Sequence, residues 1–244
     1  MGAPSSSAVT PLTARAHAFV DDLERPRLSA EDRHHLARVV RLRPGDPVTV
    51  SDGAGHWRAA RLGAGPDLEA AGDTVADPRP APPITVAFAV VKGERPELTV
   101  QKLTELGIDR LIPFVAERGV VRWDATKTDR QARRLADIAR HAAMQCRRTW
   151  LPEIDRVRTF AEVAGLPGAA LADLAGGAPS LRHPTVLVGP EGGWAPSEQA
   201  AGLPRVRIGA NVLRAETAAI TVGALLSALR ADLVQEAATS GHHV

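Results

Sequence analysis

The spacing of hydrophobic and polar positions along this chain changes once, near residue 80. Before that point the apolar stretches are short. Val48-Thr49-Val50 alternates like a half-buried strand, with the turn signal Pro44-Gly45-Asp46 ahead of it. Asp52-Gly53-Ala54-Gly55 then turns the chain into a second strand at residues 57–62. Residues 31–42 (EDRHHLARVVRL) carry Leu36, Val39, Val40 and Leu42 near helical spacing, which predicts a short helix. Residues 18–76 therefore read as a strand-rich module resembling a small β-barrel with one helix. Residues 77–83 (DPRPAPP) mark a boundary, because proline fixes φ and removes backbone donors.

Beyond the boundary, residues 84–91 (ITVAFAVV) form a continuous apolar run, as expected of a strand buried on both faces of a parallel sheet. A helix follows at 97–106, with Leu98, Leu103 and Leu106 as its apolar positions and Gly107 as its C-terminal cap. Residues 111–115 read as a strand. Residues 128–146 read as a helix with Leu135, Ile138, Ala139, Ala142 and Cys146 on one face. Strands are predicted at 169–174, 185–188 and 205–208. A last helix is predicted at 215–236, striped by Val222, Leu225, Leu226, Leu229 and Leu233. This βα alternation predicts an α/β domain. The expected organisation is a first domain at 1–78 with a frayed tail at 1–12, a linker at 79–83, and a second domain at 84–244.

Composition narrows the class. Of 244 residues, 44% are hydrophobic and 24% charged, ordinary for a globular protein. Aromatics make up 3% with no tyrosine, so the core must be mainly Val, Leu, Ile and Ala. No apolar run reaches the ~20 residues of a membrane span, and the opening MGAPSSSAVTPL lacks the pattern of a secretory signal. The single Cys146 excludes an internal disulfide and a multi-thiolate metal site, so a cytoplasmic location is the default expectation. His34, His35, His242 and His243 lack acidic or thiol partners at ligand spacing, and no metal is expected. Net charge is +2, and only Lys92, Lys102 and Lys127 are lysines. The rest is arginine, which suits bidentate phosphate contact. Charge this small establishes no nucleic-acid partner, so local clustering must carry that expectation.

Two late segments carry the chemistry. In each, residues 186–194 (VLVGPEGGW) and 208–220 (IGANVLRAETAAI), an apolar strand enters a tight, glycine-bearing loop, and the second loop opens into a helix. Loops at strand ends build ligand crevices in α/β domains, and glycine lets a ligand approach the main chain. Gly189-Pro190-Glu191-Gly192-Gly193 lacks the Gly-Lys-Ser/Thr ending of a phosphate loop and the glycine spacing of a dinucleotide fold. A nucleotide-like ligand held by main-chain groups is the reading.

Taken together and in this order, the two segments resemble the cofactor loops of the SPOUT methyltransferases. More narrowly, the chain resembles the ribosomal RNA small subunit methyltransferase E family. Val100-Gln101-Lys102-Leu103-Thr104-Glu105-Leu106-Gly107 is similar to that family's QK..ELG helix, and Glu117-Arg118 to its Ser-Glu-Arg. Gln145-Cys146-Arg147-Arg148 with Leu151-Pro152-Glu153-Ile154 is similar to its EQC.R….PEI stretch. Residues 35–46 resemble the start of its PUA-like module. The likeness runs from about residue 18 to 234. There are two departures: Gly209-Ala210-Asn211 stands where the family usually has Gly-Pro-Arg, and Met144 stands where it commonly has Glu.

The resemblance implies an α/β C-terminal SPOUT domain with a deep trefoil knot, an N-terminal PUA-like β-barrel, and a homodimer. It implies S-adenosyl-L-methionine as cofactor and methylation of N3 of a uridine in 16S rRNA, as free RNA or in the small ribosomal subunit. Cofactor contacts are expected from Leu187, Val188, Gly189, Pro190, Glu191 and Gly192, and from Ile208, Gly209, Asn211, Val212, Leu213 and Ala218. Arg214 and Glu216 are the catalytic candidates, with a structural role for Glu216 left open. Arg15, Arg38, Arg41, Lys92 and Arg118 are the RNA-binding candidates. Two other readings remain: a SPOUT methylase of another RNA, and a catalytically silent RNA-binding module.

Overall fold

A computed structural model describes residues 9–38, 40–65, 67–90, 95–119 and 125–236. The chain divides into two compact units, Met1–Arg79 with Arg140–Leu151, and Pro80–Ala139 with Pro152–Val244.

The first unit contains β1 (Ala16–Phe19), α1 (Ala30–Arg38), β2 (Pro47–Ser51), β3 (His56–Leu62), β4 (Leu68–Ala70) and β5 (Val75–Ala76). β1 runs parallel to β2, while β3 pairs antiparallel with β2, β4 and β5. Gly53 (φ +76°) and Gly55 (φ +90°) make the tight turn between β2 and β3. α1 ends at Arg38, short of its predicted end, because Arg41 turns left-handed (φ 57°) and Leu42 N–H closes on the Leu36 carbonyl at 3.1 Å. Leu42 stays buried all the same. The core joins Val48, Val50, Ala60 and Leu36 to Ala143 and Met144 from the returning segment. Ser51 Oγ donates to the Thr149 carbonyl at 2.9 Å, and Leu151 N–H to the Gly53 carbonyl at 2.9 Å.

The second unit contains β6 (Thr85–Ala89), α2 (Arg95–Glu105), β7 (Arg110–Val115), most of α3 (Ala125–Cys146), β8 (Glu153–Ile154), β9 (Arg158–Thr159) and α4 (Phe160–Ala164). It continues with β10 (Ala169–Gly177), β11 (Thr185–Val188), α5 (Pro196–Gln199), β12 (Arg205–Val206) and α6 (Ala215–Arg230). The strands form one parallel sheet in the order β12-β10-β11-β6-β7-β8, with β9 also on β7. Val86, Phe88, Val186 and Val188 face one core with Val100, Leu103, Leu135, Val222 and Leu226. Ala87, Ala89, Leu187 and Phe114 face the other with Val163 and Trp194. Covering on both faces is why these strands read as unbroken apolar runs.

α2 and α6 approach closely because residue 223 has no side chain. A Cβ there would stand 2.4 Å from Leu103 Cδ2. Leu98, expected inside, is 44% exposed; Val100 and Leu103 carry the burial instead. α6 stops at Arg230, earlier than predicted, where Asp232 turns left-handed (φ 54°) and Leu233 N–H bonds the Ala228 carbonyl at 2.9 Å. Leu233 is consequently exposed. Among the described residues, no helix is long and apolar enough to cross a membrane.

Candidate functional site

Parallel strands place their carboxyl ends on one edge, and the loops leaving β11 and β12 border a cleft there together with β10 itself. Its volume is about 370 Å³, within the range of small-molecule pockets. The middle of β10 supplies Ala172, Asp173 and Leu174. The loop after β11 supplies Gly189, Pro190, Glu191, Gly193 and Trp194, with Val188 at its base. The segment entering α6 supplies Ile208, Asn211, Val212, Leu213, Ala215 and Ala218, and Arg118 and Gln199 complete the lining.

The glycines of residues 189–193 serve different ends. Gly193 is the one with positive φ (+71°). At Gly189 the constraint is steric, since a Cβ would lie 3.0 Å from Trp194 Cε2. Trp194 is buried and stacks on Phe114 with centroids 6.2 Å apart and planes 8° apart. Its Nε1 donates to the Ala172 carbonyl at 3.0 Å, which ties the loop to β10. Gln199 Nε2 donates to the Trp194 carbonyl at 3.1 Å. Buried Glu198 accepts from Ala195 N–H (2.8 Å) and Glu117 N–H (2.9 Å), joining the start of α5 to the loop after β7.

Charged groups ring an apolar wall made by Val188, Ile208, Leu213, Ala215 and Ala218. Asp173 accepts from Ala175 N–H at 2.9 Å and pairs with Arg205 at 3.2 Å. Glu191 Oε1 accepts from Arg95 Nη1 at 2.7 Å, and Arg118 Nη1 donates to the Gly192 carbonyl at 3.1 Å. An apolar wall beside carboxylates suits a flat ring that carries a cationic arm.

Of the twelve expected cofactor contacts, Val188, Gly189, Pro190, Glu191, Ile208, Asn211, Val212, Leu213 and Ala218 line the cleft. Leu187 faces the core beneath, and Gly192 and Gly209 are not in the lining. Arg214 is exposed at the N-cap of α6, between two lining residues; Glu216 is half-buried in the first turn. Arg118 joins the cleft, Arg15, Arg38 and Arg41 belong to the first unit, and Lys92 lies outside the described residues. Asp173 and Trp194 escaped the sequence reading as cleft residues, although the strand at 169–174 and the Trp after Gly193 were both visible. No metal-binding group of three or more His, Cys, Asp or Glu occurs among the described residues.

The RNA methyltransferase domain family matches residues 78–227, and the RNA methyltransferase PUA domain matches residues 28–67. A Mycobacterium bovis protein named ribosomal RNA small subunit methyltransferase E is 36% identical, the match covering 81% of this chain and 84% of the relative. The chain belongs to the ribosomal RNA small subunit methyltransferase E family. A Synechocystis protein of that name is 33% identical over 83% of this chain and 72% of its own length. The crystal structure of a small subunit methyltransferase E from Neisseria gonorrhoeae, bound to S-adenosyl methionine, superposes with a TM-score of 0.71 at 27% identity, covering 88% of this chain and 97% of that one. The family's QK..ELG stretch forms the second half of α2 and runs past its end to Gly107 (φ +85°). Its Glu-Arg pair is Glu117-Arg118, one residue bonded to α5 through Glu198 and the other lining the cleft.

Proposed function

We propose that the cleft holds S-adenosyl-L-methionine and that the chain methylates N3 of a uridine in 16S rRNA of the small ribosomal subunit. The observation that carries this reading is the convergence of both glycine-bearing segments on one cleft at the carboxyl edge of the parallel sheet. The fit supports it. Val188, Ile208, Leu213 and Ala218 offer an adenine ring an apolar wall, and Asp173 offers a carboxylate to a cationic arm. Main-chain groups of residues 188–191, 208 and 211–213 orient the ligand. When bound, the cofactor supplies a methyl group on a positively charged sulfur, an electrophile that needs alignment rather than covalent help.

The residues of this chain then control charge. Arg214, exposed beside the lining residues Leu213 and Ala215, orients the uridine and stabilises negative charge on its oxygens as the N3 proton passes to solvent water and N3 takes the methyl group. Glu216 Oε1 stands 3.7 Å from Arg95 Nε, and Oε2 is buried without a hydrogen-bond partner, which supports a bracing role over proton transfer. Base pairing hides the N3 edge, so the target is unpaired or splayed out. Arg15, Arg38 and Arg41 of the first unit, and Arg118, supply phosphate contacts. In this reading the first unit closes as a PUA-like barrel, the second carries the trefoil knot, and the enzyme is a cytoplasmic homodimer.

The test is incubation of wild type and Arg214→Ala with labelled cofactor and unmodified small subunits, followed by mapping of the methylated nucleotide. Wild type should label one uridine at N3, and Arg214→Ala should bind the cofactor but label at least 100-fold more slowly, on the order of one lost oxyanion donor. Failure of wild type to bind the cofactor would leave a silent RNA-binding module. Label on another base or another RNA would make the chain a different SPOUT methylase. A wild-type rate for Arg214→Ala removes the role given to Arg214.

A further inference from the structure

We propose that Arg95 is a positioning residue that locks the two cleft segments to one another, an inference that rests on the cofactor reading above. Arg95 is the first residue of α2, the helix that follows β6, and β6 lies beside β11 in the sheet. Its guanidinium reaches both segments. Nη1 stands 2.7 Å from Glu191 Oε1, in the loop after β11, and Nε stands 3.7 Å from Glu216 Oε1, in the first turn of α6. Glu191 lines the cleft itself, while Glu216 sits beside the lining residue Ala215. A single side chain thus bridges segments far apart in sequence.

The two ends of the bridge differ. The Glu191 end is open to solvent, with side chains 37% and 53% exposed, and such a pair adds little to overall stability. Its effect is on where the loop sits. The Glu216 side chain is 14% exposed and its Oε2 is shielded with no hydrogen-bond partner. A carboxylate covered to that degree depends on a neighbouring cation, and among the described residues Arg95 is the one paired with it; without Arg95 it turns toward water and the tie to the β11 loop is lost. Arg118 holds the same β11 loop through the Gly192 carbonyl at 3.1 Å, so Arg95 at the start of α2 and Arg118 after β7 together set its position. Loss of Arg95 lowers the fraction of molecules with a ligand-ready cleft, and the apparent Kd rises by the inverse of that fraction. Lysine carries one ammonium on a flexible stem and cannot present separate nitrogens to two carboxylates.

Calorimetric titration with S-adenosylmethionine tests this on wild type, Arg95→Met, Arg95→Lys, Glu191→Gln and the Arg95→Met/Glu191→Gln double variant, with steady-state methylation alongside. Arg95→Met should raise Kd roughly fivefold, raise KM for the cofactor in step, and leave kcat and the melting temperature near wild type. Arg95→Lys, which keeps the charge and serves should the Met variant not fold, should recover less than half of the loss. The double variant should bind no more weakly than Arg95→Met alone, since both changes break one bridge. A wild-type Kd for Arg95→Met, full rescue by lysine, or additive losses in the double variant overturn the proposal. Absence of cofactor binding by wild type overturns the cofactor reading instead, so the two failures are told apart.

Discussion

Replacing Gly189 with alanine inserts a Cβ 3.0 Å from Trp194 Cε2 and 3.2 Å from Cδ2 and Cζ2. Carbon atoms in contact prefer about 3.5–4.0 Å, so the ring must retreat by about half an ångström. It has little room to do so, because it stacks on Phe114 and its Nε1 is bonded to the Ala172 carbonyl. Overpacking of this kind costs about 1–3 kcal/mol. At 2 kcal/mol, a domain of this size melts about 4–8 °C lower. The indole lines the cleft, so cofactor binding should weaken as well. Two neighbours serve as controls. Gly193→Ala meets no atom of the described residues within 4 Å but must hold φ at +71°, costing about 1–2 kcal/mol. Gly192→Ala meets Arg118 Cβ at an ordinary 3.6 Å and should stay within about 0.5 kcal/mol of wild type. Thermal unfolding by circular dichroism and titration with S-adenosylmethionine read all three. If Gly189→Ala melts and binds like wild type, or Gly192→Ala is the worse variant, the steric account of this loop is wrong.

Arg230→Met should destabilise the second unit by about 3–5 kcal/mol in urea unfolding, because Arg230 pairs with buried Asp109 and donates to the Gly107 carbonyl at 2.6 Å; a loss below 1 kcal/mol would show that Asp109 finds other compensation. Burial lowers the pKa of His17 from 6.5 to about 4, with Arg147 acting in the same direction and the Arg148 carbonyl and Asp77 opposing. The unfolded chain therefore takes up a proton between those values that the folded chain refuses, and stability falls as pH drops from about 6.5 toward 4. The loss from pH 7 to 5 should be about 2 kcal/mol. His17→Gln should flatten that slope, and an unchanged slope would place the titration elsewhere.

What could be read from the chain follows the range of the forces involved. β11 matches its predicted span because Thr185–Val188 is bounded by Pro184 and Gly189 and is buried throughout. Gly107 marks the end of α2 because left-handed backbone there is a local demand. Leu98 misled because spacing defines a face without saying how wide the covered stripe is; the packing of α6 on α2 selects Val100 and Leu103. The early ends of α1 and α6 were hidden because the left-handed residues there, Arg41 and Asp232, are not glycine, the residue that marks such a turn most plainly. The strand Ala16–Phe19 is too short for its alternation to stand out. Asp173 came to the cleft through sheet order, since β10 lies beside β11 only in space. The bridging role of Arg95 likewise depends on the adjacency of β6 and β11, which no local pattern encodes.

The first unit is closed by a segment that follows much of the second in sequence. A nascent chain emerging amino terminus first presents β1 to β5 long before Ala143, Met144 and the carbonyl of Thr149 exist to complete their core and turn. That unit cannot finish folding during translation until residue 151 has cleared the exit tunnel, after β6, α2 and β7 have already emerged. The amino-terminal module is thus completed only after the first strands of the second unit have emerged.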